Sequence, residues 1–325
     1  MFEVFFTTLQ QMLAFFALML IGYFMTKKKI LPDAADRSVS NLLTKLFIPC
    51  LTLRTFAKNC TVENLRTKWV FMVFSIVLVA IAFLIATVLK RLFAPDDLYL
   101  QTIYRYSFTL ANYGYMGNAI VLALFGDDAL FDYMMFTLPM SVFLYVYLFA
   151  SLDPRGGGKF RLKSLLNPAF LAVPAGALIG LLPFQYPADL PAWLKFIPSV
   201  LDSAANCMSP CAMLLAGIVV GKFQLKELFG DRKVYYASII RLLVLPAAFS
   251  LLVRGFFAVT GITGDWTGTL MRSVLTATAM PLGLNTVVVP ASFGADTRPG
   301  AGMALVSNLM SLITIPLMFM LFLPR

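Results

Sequence analysis

The sequence predicts an all-α polytopic membrane protein: ten transmembrane helices forming two inverted five-helix repeats, with the fourth and ninth helices broken and meeting near the midplane. Three observations predict it. Of the 325 residues, 60% are hydrophobic and 13% charged, with a mean hydropathy of +0.83, outside the range of soluble domains. Apolar runs near the twenty residues that cross a bilayer core recur along the whole chain. The second half also repeats features of the first in the same order, as transporters built from internal repeats do.

The expected spans lie at 4–26, 40–56, 68–90, 100–125, 129–151, 167–183, 195–221, 235–259, 268–292 and 301–323. The first follows Glu3 without a basic leader or a small-residue cleavage pattern, so it reads as a retained helix. The second and sixth are at the short limit for a crossing. Residues 1–151 form the first repeat, 152–166 a cytoplasmic linker and 167–325 the second repeat. Connections are brief throughout, which leaves no soluble domain for chemistry.

The net charge of +10 invites a nucleic-acid reading, but the basic residues sort by side of the membrane. With the N-terminus outside, the inner loops hold Lys27, Lys28, Lys29, Arg37, Lys90, Arg91, Arg155, Lys159, Arg161, Lys163, Lys222, Lys226, Arg232, Lys233 and Arg298. The outer side holds only Lys58, Arg66, Lys68, Lys195 and Arg325. The positive-inside rule therefore places both termini outside the cytoplasmic (inner) membrane, and the surplus charge signals topology rather than nucleic-acid binding. Cys50, Cys60, Cys207 and Cys211 read as small apolar filler, because a chain without histidine offers few further metal ligands. No cofactor is expected.

Shifted by 167 residues, Arg105 falls on Arg272, Thr109 on Thr276 and Asn118 on Asn285. LFIPCLTL at 46–53 matches CMSPCAML at 207–214, with Pro49 on Pro210, and LIG recurs at 20–22 and 178–180. Five spans per copy is an odd number, so the second copy enters the membrane in the opposite sense. Pro49 and Pro210 read as helix kinks.

The stretch TLANYGYMGNAI at 109–120 places helix-breaking residues at membrane depth, and AMPLGLNTVV at 279–288 does so again. Irregular backbone there is tolerated only where protein buries it or a cavity adjoins it. Broken helices meeting near the midplane would present half-helix N-termini, suited to a carboxylate, and Asn118 and Asn285 can donate and accept hydrogen bonds. The alternative is that Gly114, Gly117 and Gly283 permit close helix packing and Pro281 is an ordinary kink. Two interruptions at equivalent places in inverted halves favour the site.

Ionisable residues within spans are Lys45, Arg54, Arg105, Asp202, Arg241 and Arg272, with Asp132 near an end. Snorkelling to the interface accounts for most of the cations. Arg105 and Arg272 differ, since they occupy equivalent repeat positions and are candidates to flank two access routes as anion or coupling contacts. Asp202, the one carboxylate well inside a span, suits either a coupling proton held by burial or an ion pair. The excess of cations favours an anionic substrate.

At IGYFMTKK (21–28), LFIPCLTL, NYGYMGN followed by ALFGDD, and AMPLGLNTVVV followed by SLITIPLM, the chain resembles the auxin efflux carrier family, whose bacterial members include malate and malonate permeases. The resemblance covers essentially all ten spans. It implies X-shaped broken helices in the fourth and ninth spans, with Asn112, Gly117, Asn118, Pro281 and Asn285 lining the substrate site. One departure is that Asn118 and Ala119 stand where the family usually has a proline after the glycine of the first crossover. The long inner loop of plant members is also missing.

The reading is therefore a secondary active transporter of a small organic anion, a mono- or dicarboxylate of malate, malonate or auxin type, working by alternating access. The sequence leaves open proton, sodium or potential-driven coupling and a homodimer in the lipid bilayer. A rival is a sodium-coupled organic anion symporter of the bile-acid type, although the crossovers carry no acid for the cation. A membrane-embedded transferase is the distant alternative. The acid pairs Asp96-Asp97 and Asp127-Asp128 lie in short loops on opposite sides, and no histidine base exists, so an enzyme is not expected.

Overall fold

A computed structural model describes residues 2–153, 162–183 and 186–323. The core of the predicted linker, with Arg155, Lys159 and Arg161, and the terminal Arg325 lie outside the described residues. α1 (Phe2–Lys27) carries Glu3 in its first turn and Lys27 in its last, each charge at the helix end whose dipole it complements. α2 (Ala35–Leu42) passes through a π-helical turn, Leu43–Phe47, into α3 (Ile48–Asn59). Pro49 follows that turn, and the widened turn takes up the carbonyl its ring would strike. α4 (Val62–Phe93) starts at Thr61, whose hydroxyl accepts from the Asn64 N–H, and α5 (Leu98–Thr109) starts at Asp97, whose carboxylate accepts from the Leu100 N–H. A π-turn, Tyr113–Gly117, then leads into α6 (Asn118–Phe143), and a second, Leu144–Leu148, into α7 (Phe149–Ser151).

In the second half, α8 (Pro168–Gly180) is capped by Asn167, which accepts from the Phe170 N–H. α9 (Phe196–Asn206) and α10 (Met208–Gly221) part at Cys207, with Pro210 in the first turn of α10. After α11 (Leu225–Leu228), α12 (Arg232–Ile239) runs through the π-turn Ile240–Val244 into α13 (Leu245–Thr260), which Gly261 ends in a left-handed conformation. α14 (Asp265–Ala279), α15 (Asn285–Ser292) and α16 (Arg298–Phe322) complete the chain. The described residues contain no strand.

Among the described residues six stretches are long and apolar enough to cross a membrane: Phe2–Lys27, Val62–Phe93, Leu98–Ser151, Ala192–Gly221, Arg232–Thr260 and Arg298–Phe322. The predicted second span lies in the continuous helical stretch 35–59, which is long enough but less apolar, whereas the sixth is short and the ninth is interrupted. Leu98–Ser151 contains two predicted spans, and Gly126 divides them. Its φ of +82° is a left-handed conformation that glycine adopts without strain. Beyond it the chain doubles back, since the Tyr133 hydroxyl donates to the Tyr113 carbonyl at 3.1 Å and the Tyr113 and Ser141 hydroxyls meet at 3.0 Å. Residues 20 and 28 apart on one straight helix would lie roughly 30 and 42 Å from each other.

Burial runs opposite to that of a soluble protein. Leu84, Val88 and Leu92 of α4 are 66%, 67% and 72% exposed, as a surface facing hydrocarbon should be. Between helices, small residues let backbones approach. A Cβ on Gly217 of α10 would strike the Met19 carbonyl of α1, and one on Gly22 would strike the Leu214 carbonyl. The other half repeats this: a Cβ on Gly176 or Gly180 of α8 would meet the Leu53 carbonyl at 2.8 Å or the Phe56 carbonyl at 2.7 Å of α3. Each first helix of one half thus packs on the proline-bearing helix of the other.

The loops gather charge into two sets. One holds Lys222 with Asp36 at 2.7 Å, Lys27 with the Phe223 carbonyl, Lys233 with the Phe93 carbonyl, and Arg298 with Asp296 at 2.9 Å. The Arg298 guanidinium holds the Asp296 carboxyl below the usual range. The other set joins Arg54 to Asp127 at 2.9 Å and to Asp202 at 3.4 Å, Lys58 to Asp127 at 3.3 Å, and Lys68 to Asp132 at 2.7 Å.

Two substitutions test this packing. Gly217→Val should lower the thermal midpoint of the detergent-purified protein sharply, because the obstacle is backbone and overpacking costs about 1–3 kcal/mol or more; an unchanged midpoint would contradict the close approach. Gly117→Ala should destabilise by about 1–3 kcal/mol, because its methyl meets the Tyr133 hydroxyl and displaces the bond to Tyr113. In a Tyr133→Phe background the same change should cost less, and additive effects in a double-mutant cycle would refute the contact.

Candidate functional site

Two helices lose their hydrogen-bonding pattern in mid-course, for different local reasons. In the first, α5 ends at Thr109, and Leu110 takes an extended conformation (φ −126°, ψ 145°) before the π-turn at Tyr113–Gly117. The break is present although no proline stands there. In the second, Met280 is extended (φ −66°, ψ 148°), because the ring of Pro281 disfavours helical backbone in the residue before it. Helical structure resumes at Asn285.

The two breaks touch. The Asn112 N–H donates to the Pro281 carbonyl at 2.8 Å, and the Asn112 side chain lies 3.5 Å from where a Cβ on Gly283 would sit. Other freed backbone groups find side chains. Ser307 Oγ of α16 accepts from the Leu282 N–H at 3.0 Å, and Asn308 Nδ2 donates to the Ala304 carbonyl at 2.7 Å and the Leu282 carbonyl at 3.4 Å. Tyr133 serves the Tyr113 carbonyl. After each break a helix N-terminus begins, with N–H groups that have no intrahelical partner and a partial positive charge.

A cavity of about 330 Å³ adjoins the breaks. Its inner wall includes Asn112, Tyr113, Gly114, Tyr115, Asn118 and Asn285. From there it extends past Thr52, Thr137, Ser141 and Tyr145 to Ser40, Thr44, Lys45 and Asn167. Those last residues lie toward the end of the molecule where Lys222 binds Asp36. Hydroxyls and amides supply nearly all the polarity; among the described residues Lys45 is the one charged residue on the wall and no carboxylate borders it. Asn118 is 6% exposed, and its Oδ1 has no hydrogen-bond partner, an assignment that reversal of the amide would exchange for an unpartnered NH₂. Asn285 Nδ2 donates to the Tyr106 hydroxyl at 2.9 Å.

Of the residues singled out in the sequence, Asn112, Asn118 and Asn285 border this cavity. Gly117 and Pro281 do not: Gly117 packs beneath Tyr133, and Pro281 contributes its carbonyl to the contact between the breaks. Arg105 and Arg272 also lie off the cavity wall. The Arg105 guanidinium carbon sits 5.5 Å from the Phe83 ring centre and 5.7 Å from that of Tyr147, and Arg272 lies 6.0 Å from Phe125. Each has a buried Nε without a hydrogen-bond partner, so aromatic faces stabilise both cations. Asp202 pairs with Arg54, and its side chain is 54% exposed, without the burial a proton-holding role calls for. Pro49 and Pro210 both sit at helix discontinuities.

Tyr106, Tyr133, Ser307 and Asn308 are the supporting residues that pattern reading did not select. Adjacent Ser307 and Asn308 in an otherwise apolar run were a usable signal. Tyr133 gave none, because only the reversal at Gly126 brings it to Tyr113.

Among known proteins, no curated sequence matches the chain. The model of one family, described as Membrane transport protein, matches residues 7–159 and again 156–319. With these two matches running over nearly its whole length, the chain belongs to that family, the membrane transport proteins of the auxin efflux carrier type.

Proposed function

We propose that the protein is a secondary transporter of a small organic anion, a mono- or dicarboxylate, that binds where the two breaks meet and crosses by alternating access. In this reading ten spans form two inverted repeats, 1–151 and 167–325, in the cytoplasmic membrane with both termini outside. The fourth and ninth spans cross as broken helices. The observation that carries the reading is the contact between the two breaks beside a cavity with an unpartnered amide and no acid. Helix N-termini and neutral amides accommodate a carboxylate where the breaks meet, and Lys45 adds a positive charge farther along the wall. The reciprocal glycine packing of α1 on α10 and α8 on α3 supports the inverted pairing.

A solute counterflow assay in proteoliposomes tests the site, with labelled malate, malonate, lactate and an indole carboxylate in sodium-containing and sodium-free buffer. Saturable exchange should occur with at least one of these anions and fall more than about tenfold in both Asn118→Ala and Asn285→Ala, the effect of one lost buried hydrogen bond. Exchange that survives both substitutions would move the site elsewhere.

In the same reading the cavity opens to the cytoplasm, and ion pairs seal the opposite end. Arg54 of α3 ties the scaffold helices to Asp127, in the turn between the arms that carry the first break, and to Asp202 of α9. Arg54→Gln should therefore favour the outward-open state. In a background lacking the four native cysteines, Asn285→Cys should react faster with an external membrane-impermeant maleimide when Arg54→Gln is added. An unchanged rate would show that these pairs do not hold that end shut.

A further inference from the structure

Arg241 is the one arginine side chain buried almost completely among the described residues, at 4% exposure. It sits in the π-turn between α12 and α13, a helix irregularity common at functional positions. Among the described residues no carboxylate pairs with it, and its Nε has no hydrogen-bond partner. A buried cation in that condition is costly unless other charge density compensates it.

The surroundings supply that density. Arg241 borders a void of about 10 Å³ whose wall includes Thr109, Leu110 and Ala111 from one break and Ala277 and Thr278 from the other. These residues belong to, or directly follow, the last turns of α5 and α14. The final carbonyls of a helix lack intrahelical partners and carry partial negative charge. Two such ends converge here, and a void of this size holds about one water, too little for a solvated metal ion. The site also adjoins the cavity. Ala111 borders both spaces, and Tyr106, whose hydroxyl accepts from Asn285, lies close enough to Arg241 to interact electrostatically.

We infer that Arg241 is a built-in counter-cation. Arg241 borders the void at which two helix C-termini converge, supplies there the positive charge that a bound cation would otherwise supply, and holds it behind the amides that receive the anion. Transport is then independent of sodium. The inference rests on the transport reading for its functional half and on the helix ends alone for its structural half.

The test combines melting and exchange in Arg241→Ala, Arg241→Met and Arg241→Lys. Wild-type protein should melt at the same temperature in sodium and choline chloride and exchange labelled malonate, or whichever of the four anions it carries, equally in both. Arg241→Ala should melt lower and lose exchange more than about tenfold. Millimolar guanidinium, but not equimolar urea, should raise its melting temperature and restore part of the exchange. Arg241→Met fills the space without charge and should gain nothing from guanidinium, whereas Arg241→Lys should keep most of the exchange. Sodium-dependent exchange in the wild type, or Arg241→Met matching the wild type in melting and exchange, would overturn the inference. If the wild type exchanges none of the anions, the transport reading fails, and the guanidinium effect on melting still decides the structural half.

Discussion

Everything else in the structure follows from the need to satisfy two stretches of non-helical backbone in the interior of an apolar bundle. An unpaired N–H or C=O in hydrocarbon costs several kcal/mol, so each break needs dedicated partners. The breaks serve each other through Asn112 and Pro281, and Tyr133, Ser307 and Asn308 serve the Tyr113 carbonyl and the N–H and carbonyl of Leu282. These partners come from the returning arm of α6 and from α16, which ties both elements to α5, α14 and α15. The helices with reciprocal glycine contacts, α1 with α10 and α3 with α8, are held by a different device. Van der Waals contact between smooth backbones constrains position while allowing a small slide, and hydrogen bonds to broken backbone do not. In the proposed carrier the first set of contacts would keep its internal geometry while the second allows the two parts to shift.

Much of this was legible in the sequence because it depends on local chemistry. Pro281 dictates an extended Met280, and glycines and amides at 112–118 weaken a helix wherever they occur. Asp97, Asn167 and Asp231 cap the helices that follow them, a local signal of the same kind that the sequence reading did not use. What was not legible depends on tertiary neighbours. The family resemblance implied that Gly117 and Pro281 line the cavity, yet Gly117 packs beneath Tyr133 and Pro281 joins the contact between the breaks. Asp202 looked like a membrane-buried acid on hydropathy alone; the discontinuity at Cys207 and the position of Arg54 leave it exposed and paired. The first break needed no proline, since a π-turn after an extended Leu110 achieves the same departure from the helix.

The placement of charge explains why so many cations inside the bundle are compatible with a nearly neutral cavity. Arg105 and Arg272 rest on aromatic rings, Arg54 is spent on Asp127 and Asp202, and Arg241 lies behind the breaks. For the proposed carrier this arrangement has a kinetic logic. A guanidinium on the cavity wall would form a desolvated, bidentate pair with a carboxylate, and an anion held that tightly would leave slowly. Amides, hydroxyls and helix N-termini bind the same group more weakly, and positive charge set one layer back attracts it without contact. Carriers and channels share the requirement that binding be favourable enough for entry and weak enough for release. A wall of asparagines over a buried arginine meets both conditions.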